Sequence, residues 1–174
     1  IVTGQNYSLL FAMLAISILL MLIFRSLRAG LIGSIPLFFA IISMFGLMGW
    51  MGIELNIVTA LLSSISIGVG VDYTIHLFWR IKTELANKKD YPTAIFTALT
   101  TTGRGITINA FSVMLGFSVL FFSQFPYLQT FAFLIILSLA LCLICALLLM
   151  PAICTLAKPK FLLKGNHIAE AIKE

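Results

Sequence analysis

Asp72 is the only acidic residue set inside one of the long apolar runs of this sequence, the run spanning 57–79. A carboxylate at that depth in a bilayer costs at least ~2.5–3.5 kcal/mol on insertion scales. Such groups face a bundle interior or a watered path, take partners, and mark routes for ions or protons. Helical spacing supports an inward-facing site. Ser64, Gly68, Asp72 and His76 form one ridge at steps of four, and Thr59, Ser63, Ser66, Gly70 and Tyr73 form a second. Ile67, Val71, Ile75 and Phe78 gather on the remaining arc as a narrow apolar edge. Asp72 is therefore expected to be buried, with Gly68 and Gly70 admitting a neighbouring helix close to it. The run 105–123 offers a matching ridge of Gly105, Asn109, Ser112 and Gly116, from which Asn109 can hydrogen-bond toward Asp72 while Gly105 and Gly116 serve packing. His76 shares the face of Asp72 and carries an imidazole, a side chain able to accept and donate protons, so it joins Asn109 and Ser66 as support for proton movement. A structural hydrogen bond would explain His76 equally well.

Other chemistries find little footing. Cys142 and Cys145 form a C-x-x-C, but it lies within an apolar span without further thiol or imidazole ligands at metal-site spacing. They read as small polarizable packing residues. No nucleotide-binding loop and no nucleophile–base pair is present, so the sequence predicts neither an enzyme nor a metal or cofactor site.

The elements that must position Asp72 follow from composition. The 174 residues are 61% hydrophobic and 10% charged, against roughly half and a quarter in soluble domains. Such a chain cannot cover itself with polar groups in water. A helix crossing a bilayer needs ~20 apolar residues, and five runs qualify: 7–24, 30–50, 57–79, 105–123 and 128–150. Backbone polar groups in lipid must be satisfied within each run, so all five are expected as helices. The fold class is all-α, a polytopic membrane bundle of about five transmembrane helices.

A net charge of +5 invites a nucleic-acid reading, but all eleven Lys and Arg fall in three short polar stretches. These are Arg25 and Arg28, the segment 80–104, and the tail after Met150. That distribution marks cytoplasmic loops and excludes a nucleic-acid surface. The connections at 52–56 and 124–127 carry Glu54 but no Lys or Arg, which places them and the amino terminus outside and the carboxyl terminus in the cytoplasm. Tyr7, Trp50 and Tyr127 mark the outer interface and Trp79 the inner one. Residues 1–6 read as the end of an extracytoplasmic domain, 7–158 as the bundle, and 159–174 as a cytoplasmic tail. Within 80–104, Asp90-Tyr91-Pro92 is a helix start, and Ala94, Ile95, Ala98 and Leu99 recur at helical spacing, predicting an amphipathic helix on the inner membrane surface.

The stretch Gly68-Val69-Gly70-Val71-Asp72-Tyr73-Thr74-Ile75-His76-Leu77 resembles the fourth-helix motif of the resistance–nodulation–division superfamily. The closest likeness is to its branch of mycobacterial large membrane proteins and hydrophobe exporters. Phe24-Arg25-Ser26-Leu27-Arg28-Ala29-Gly30, Phe45-Gly46-Leu47-Met48-Gly49 and Leu149-Met150-Pro151 fall where that family has similar segments. The resemblance implies half of a transmembrane domain, helices two to six of one six-helix repeat, with the basic tail favouring the second. It implies that Asp72 and Tyr73 meet a matching Asp/Tyr pair of the other repeat and relay protons. The proton gradient, with no cofactor, would then drive extracytoplasmic porter domains that move lipid or another hydrophobic substrate outward across a bacterial inner membrane. Membrane lipids are the remaining expected partners, and self-association into a homo-oligomer stays open. Two rivals share parts of the pattern: a sterol-sensing, lipid-binding regulatory bundle and an accessory subunit of Sec-type protein export.

Overall fold

The computed structural model describes residues 2–54, 56–87 and 90–157. The expected tail 159–174, with Lys88 and Lys89, lies outside the described residues. Six helices follow in order: α1 (Val2–Phe24), α2 (Leu27–Trp50), α3 (Ile57–Ala86), α4 (Tyr91–Ala98), α5 (Arg104–Ser118) and α6 (Pro126–Ala157). A π-helical turn, Leu99–Gly103, joins α4 to α5, and a 3₁₀ turn, Val119–Phe122, closes α5. No strand occurs among the described residues. Five helical stretches are long and apolar enough to cross a membrane, and the π turn welds α4 and α5 into one of them, Tyr91–Phe122.

Local sequence explains the ends of these helices. At the start of α3, the Asn56 side chain accepts from Thr59 N at 2.9 Å while Asn56 N donates to Thr59 Oγ1 at 2.8 Å, a reciprocal cap. The ends of α1 and α2 are built alike. Ser26 N donates to Met21 O and Arg25 N to Leu22 O; likewise Ile53 N donates to Met48 O and Gly52 N to Gly49 O. Both are Schellman closures, which need a left-handed residue after the last turn. Gly52 meets that need at φ 68, whereas Arg25 does so at φ 49 against the steric cost of its Cβ.

α3 and α6 pack against each other at the centre, α2 lies on both, α1 on α2, and α5 on α6. Tyr73, Leu77, Phe78 and Ile81 of α3 interlock with Cys142, Cys145, Ala146, Met150 and Cys154 of α6. A second cluster joins Met44 and Met48 to Leu62, Leu134, Ile135 and Leu139. A third sets Met13, Leu37 and Ile41 against Ile67 and Val71, so the arc expected as an apolar edge of α3 is itself covered by α1 and α2. Between α1 and α2 the approach is close at Gly30, where an added Cβ would stand 2.6 Å from Ser17 O, and the Ser17 and Ser34 hydroxyls bond at 2.8 Å.

Three stretches differ from expectation. α1 already begins at Val2, so the helix starts before the apolar run, while the stretch long and apolar enough to cross a membrane remains Tyr7–Phe24. α3 runs on past Trp79 to Ala86, because Ile81 and Leu85 continue its buried face. α4 turns Ala94, Ile95 and Ala98 into the central core beside α3 and α6, so its apolar stripe packs on protein. The outward surface carries large apolar side chains such as Phe11, Leu22 and Leu148, which suits contact with acyl chains.

Candidate functional site

Each turn of α3 is covered by its own chain on the Tyr73 and Val71 sides and uncovered on a third side. That uncovered arc carries Ser64, Gly68, Asp72 and His76, all exposed. On the neighbouring face, α5 exposes Gly105, Asn109, Ser112 and Gly116. Where the two ridges adjoin, Asp72, Tyr73, His76, Thr102, Gly105, Ile106 and Asn109 line an open cavity of about 340 Å³. An acid, an imidazole, an amide and a hydroxyl converge there, a set able to hold water and pass a proton.

Asp72 is therefore not buried by this chain, contrary to expectation. The ridge reading placed it beside His76 and the Asn109 ridge, but among the described residues no helix lies over that ridge. Among the described residues the buried acid is Glu84, 5% exposed, whose Oε1 lies 2.7 Å from Arg80 Nη2. Among the described residues, no hydrogen bond joins Asp72 to Asn109 or His76. Tyr73 is adjacent in sequence but turned about 100° around the helix. Its ring is 1% exposed, packed in the α3–α6 core, and its hydroxyl has no partner among the described residues. Tyr73 thus reaches the cavity from the covered side, and Asp72 from the open one.

Ser66 does not reach this cavity. It is buried between α3 and α6, where its hydroxyl pairs with that of Ser138 and donates to Leu62 O at 2.6 Å, while Cys142 Sγ lies 3.6 Å from Ser66 O. Two hydroxyls facing across a helix pair satisfy each other, so Ser66 is spoken for by packing. Of the four glycines expected at helix contacts, only Gly70 is at one. An added Cβ there would lie 2.5 Å from Leu37 Cδ2 and 3.2 Å from Cys142 Sγ. Gly68, Gly105 and Gly116 meet nothing within 4 Å; they line the open face instead. Gly33, where a Cβ would lie 2.9 Å from Leu20 and 3.0 Å from Phe78, is a packing glycine that spacing on α3 alone did not reveal.

Thr102 and the π turn that presents it were not anticipated. A trace exists in the sequence: Thr100-Thr101-Thr102-Gly103 is a run of poor helix formers. The Thr100 and Thr101 hydroxyls donate back to Phe96 O at 2.9 Å and Thr97 O at 2.6 Å, supporting the carbonyls of the widened turn. π turns within α-helices are frequent at functional sites. Among the described residues, no group of three or more His, Cys, Asp and Glu side chains is arranged to hold a metal ion.

Comparison with known proteins agrees with this architecture. The chain is 27% identical over 170 residues to MJ1562 of Methanocaldococcus jannaschii, a protein named for its membrane location, covering 98% of this chain and 42% of that one. A second protein so named, YdgH of Bacillus subtilis, is 41% identical over 69 residues, 40% of this chain and 8% of its own. Mouse protein patched homolog 2 is 30% identical over 119 residues, 68% of this chain and 10% of its own. The chain thus spans less than half the length of each of these relatives. Residues 4–170 match the MMPL family. With five spanning helices and this match across nearly its whole length, the chain is a multi-pass membrane protein that belongs to the MMPL family.

Proposed function

We propose that this chain is the transmembrane half of a proton-driven exporter of lipids or other hydrophobic substrates, with Asp72 as the group that takes up and releases the proton. One observation carries the reading. An otherwise lipid-suited surface is interrupted by a polar, glycine-lined face on α3 and α5, with a carboxylate at its centre. Lipid cannot solvate that face at low cost. A second bundle can, and the bare Gly68, Gly105 and Gly116 leave room for its close approach. Covering the face would complete the burial of Asp72 that the described residues leave undone. In this reading the amino terminus lies outside, the carboxyl terminus lies in the cytoplasm, and the partner half brings its own Asp/Tyr pair. Each inward proton then supplies ~2.3 kcal/mol per 100 mV to move extracytoplasmic domains.

Asp72→Asn tests this directly in the complete protein. Export is expected to fall to background, with synthesis, folding and insertion unchanged. Export at the parent rate would remove the relay.

A second reading draws on the likeness to mouse protein patched homolog 2. There the same cavity serves a lipid-binding regulatory bundle without proton flow. Substrate movement that is insensitive to collapse of the proton gradient, with lipid binding retained in Asp72→Asn, would favour it.

A further inference from the structure

The buried positions of α4 and α5 do not fall on one helical stripe. Ala94, Ile95 and Ala98 are buried, and so are Gly103, Ile106 and Ala110. At about 100° per residue, the stripe through Ala98 would continue at 102, 105 and 109. The observed core positions come one residue later. The π turn at Leu99–Gly103 accounts for the offset, since it takes up one extra residue within the helix. The three residues displaced from the core stripe are Thr102, Gly105 and Asn109, and those three line the Asp72 cavity.

We propose that the π turn is a register device for the Asp72 cavity, with Gly103 as its positioning residue. Wound as π, it turns Thr102 and Asn109 toward the acid. Relaxed to α, with α4 held against α3 and α6, it rotates α5 by about one residue, ~100°, and withdraws both toward the core. Small residues on both stripes, Gly103 and Ala110 on one and Gly105 on the other, ease the exchange. Loss of charge on Asp72 removes its pull on the amide and hydroxyl and favours the relaxed winding. This proposal rests on the reading of Asp72 as the proton-carrying group.

The test is thiol labelling in the complete protein, with Cys142, Cys145 and Cys154 replaced by serine and Ser112→Cys, exposed on the Asn109 ridge of α5, as reporter, using a charged methanethiosulfonate. Asp72→Asn stands for the uncharged acid. It is expected to slow labelling by about fivefold or more, the lower end of ordinary coupling between sites. Deleting Thr101 removes the extra residue and leaves both buried stripes in phase on a regular α-helix. In that background labelling should stay fast and indifferent to Asp72→Asn, and export should be lost. Gly103→Ala serves if the deletion does not insert. Its Cβ would press on the movable end of Leu147 at 3.3 Å, with Leu99 Cδ2 at 3.7 Å and Ala98 O at 3.8 Å in ordinary contact, and it should bias labelling toward the slow rate. Equal labelling with and without Asp72→Asn, or parent-like export and coupling after the deletion, overturns the register device. Neither result touches the relay, which stands or falls on export by Asp72→Asn alone.

Discussion

The two sides of α3 differ less in composition than in what lies against them. One side carries Gly70, Ser66 and Tyr73, and every one of these is matched by α2 or α6: Leu37 and Cys142 fill the space at Gly70, and Ser138 answers Ser66. The other side carries Gly68, Ser64 and Asp72, all exposed, and nothing among the described residues lies within 4 Å of a Cβ added at Gly68. The two acids of α3 repeat the contrast. Glu84 is buried and paired with Arg80, while Asp72 is exposed within a cavity. A glycine, a serine and an acid on a membrane helix therefore carry no fixed meaning. The covering element decides whether they are structural or available for work.

The contrast can be broken most forcefully at the glycines. Gly70→Leu should cost about 3 kcal/mol or more through overpacking, read as loss of the folded bundle during thermal or denaturant unfolding in detergent. Gly68→Leu should change the stability of this chain by less than about 0.5 kcal/mol, as an unconstrained surface change does. In the complete protein, however, it should impair export by blocking the partner bundle. Equal costs at the two positions would mean that the open side is covered after all. The acids come next. Glu84→Gln should cost about 1–3 kcal/mol, because it removes the charge that compensates the Arg80 guanidinium. Asp72→Asn should leave the unfolding midpoint of this chain nearly unchanged or slightly raised. The smallest effect sharpens the covered side. A double-mutant cycle with Ser66→Ala and Ser138→Ala should give a coupling of about 0.6 kcal/mol, typical of hydroxyl pairs between membrane helices. A coupling indistinguishable from zero would mean the two hydroxyls do not depend on each other.

Hydropathy made the five spans legible, because each run had to satisfy its backbone internally and no soluble alternative could hide so much apolar surface. Helical spacing also brought Asp72, His76, Asn109 and Gly105 toward one place, the family resemblance added Tyr73, and all five line the cavity. What spacing does not encode is which ridge a neighbour covers. Gly68 and Gly70 look alike in a string of letters, and only the position of Leu37 and Cys142 separates them. Ser66 went astray for the same reason, since its partner Ser138 lies 72 residues away. The burial of Glu84 escaped because α3 extends beyond the hydropathic run. The π turn escaped because it alters phase by a single residue, and that shift shows only when the buried positions on both sides of it are known.

At the Ala86 end of α3, the Lys82 ammonium stands 6.0 Å from the Phe24 ring centroid and 5.8 Å from that of Trp79. A cation seated between two aromatic rings prefers the headgroup zone to either water or hydrocarbon. Such a collar would act as a depth gauge, resisting the vertical slippage by which a helix accommodates a thinner or thicker bilayer. Asp72 lies seven residues, or about 10 Å, farther along the axis from Trp79. With the collar at the headgroup zone, the acid would lie about a third of the way across a hydrocarbon layer of ~30 Å, and a bilayer of different thickness would have to deform around the protein to keep the carboxylate at that level.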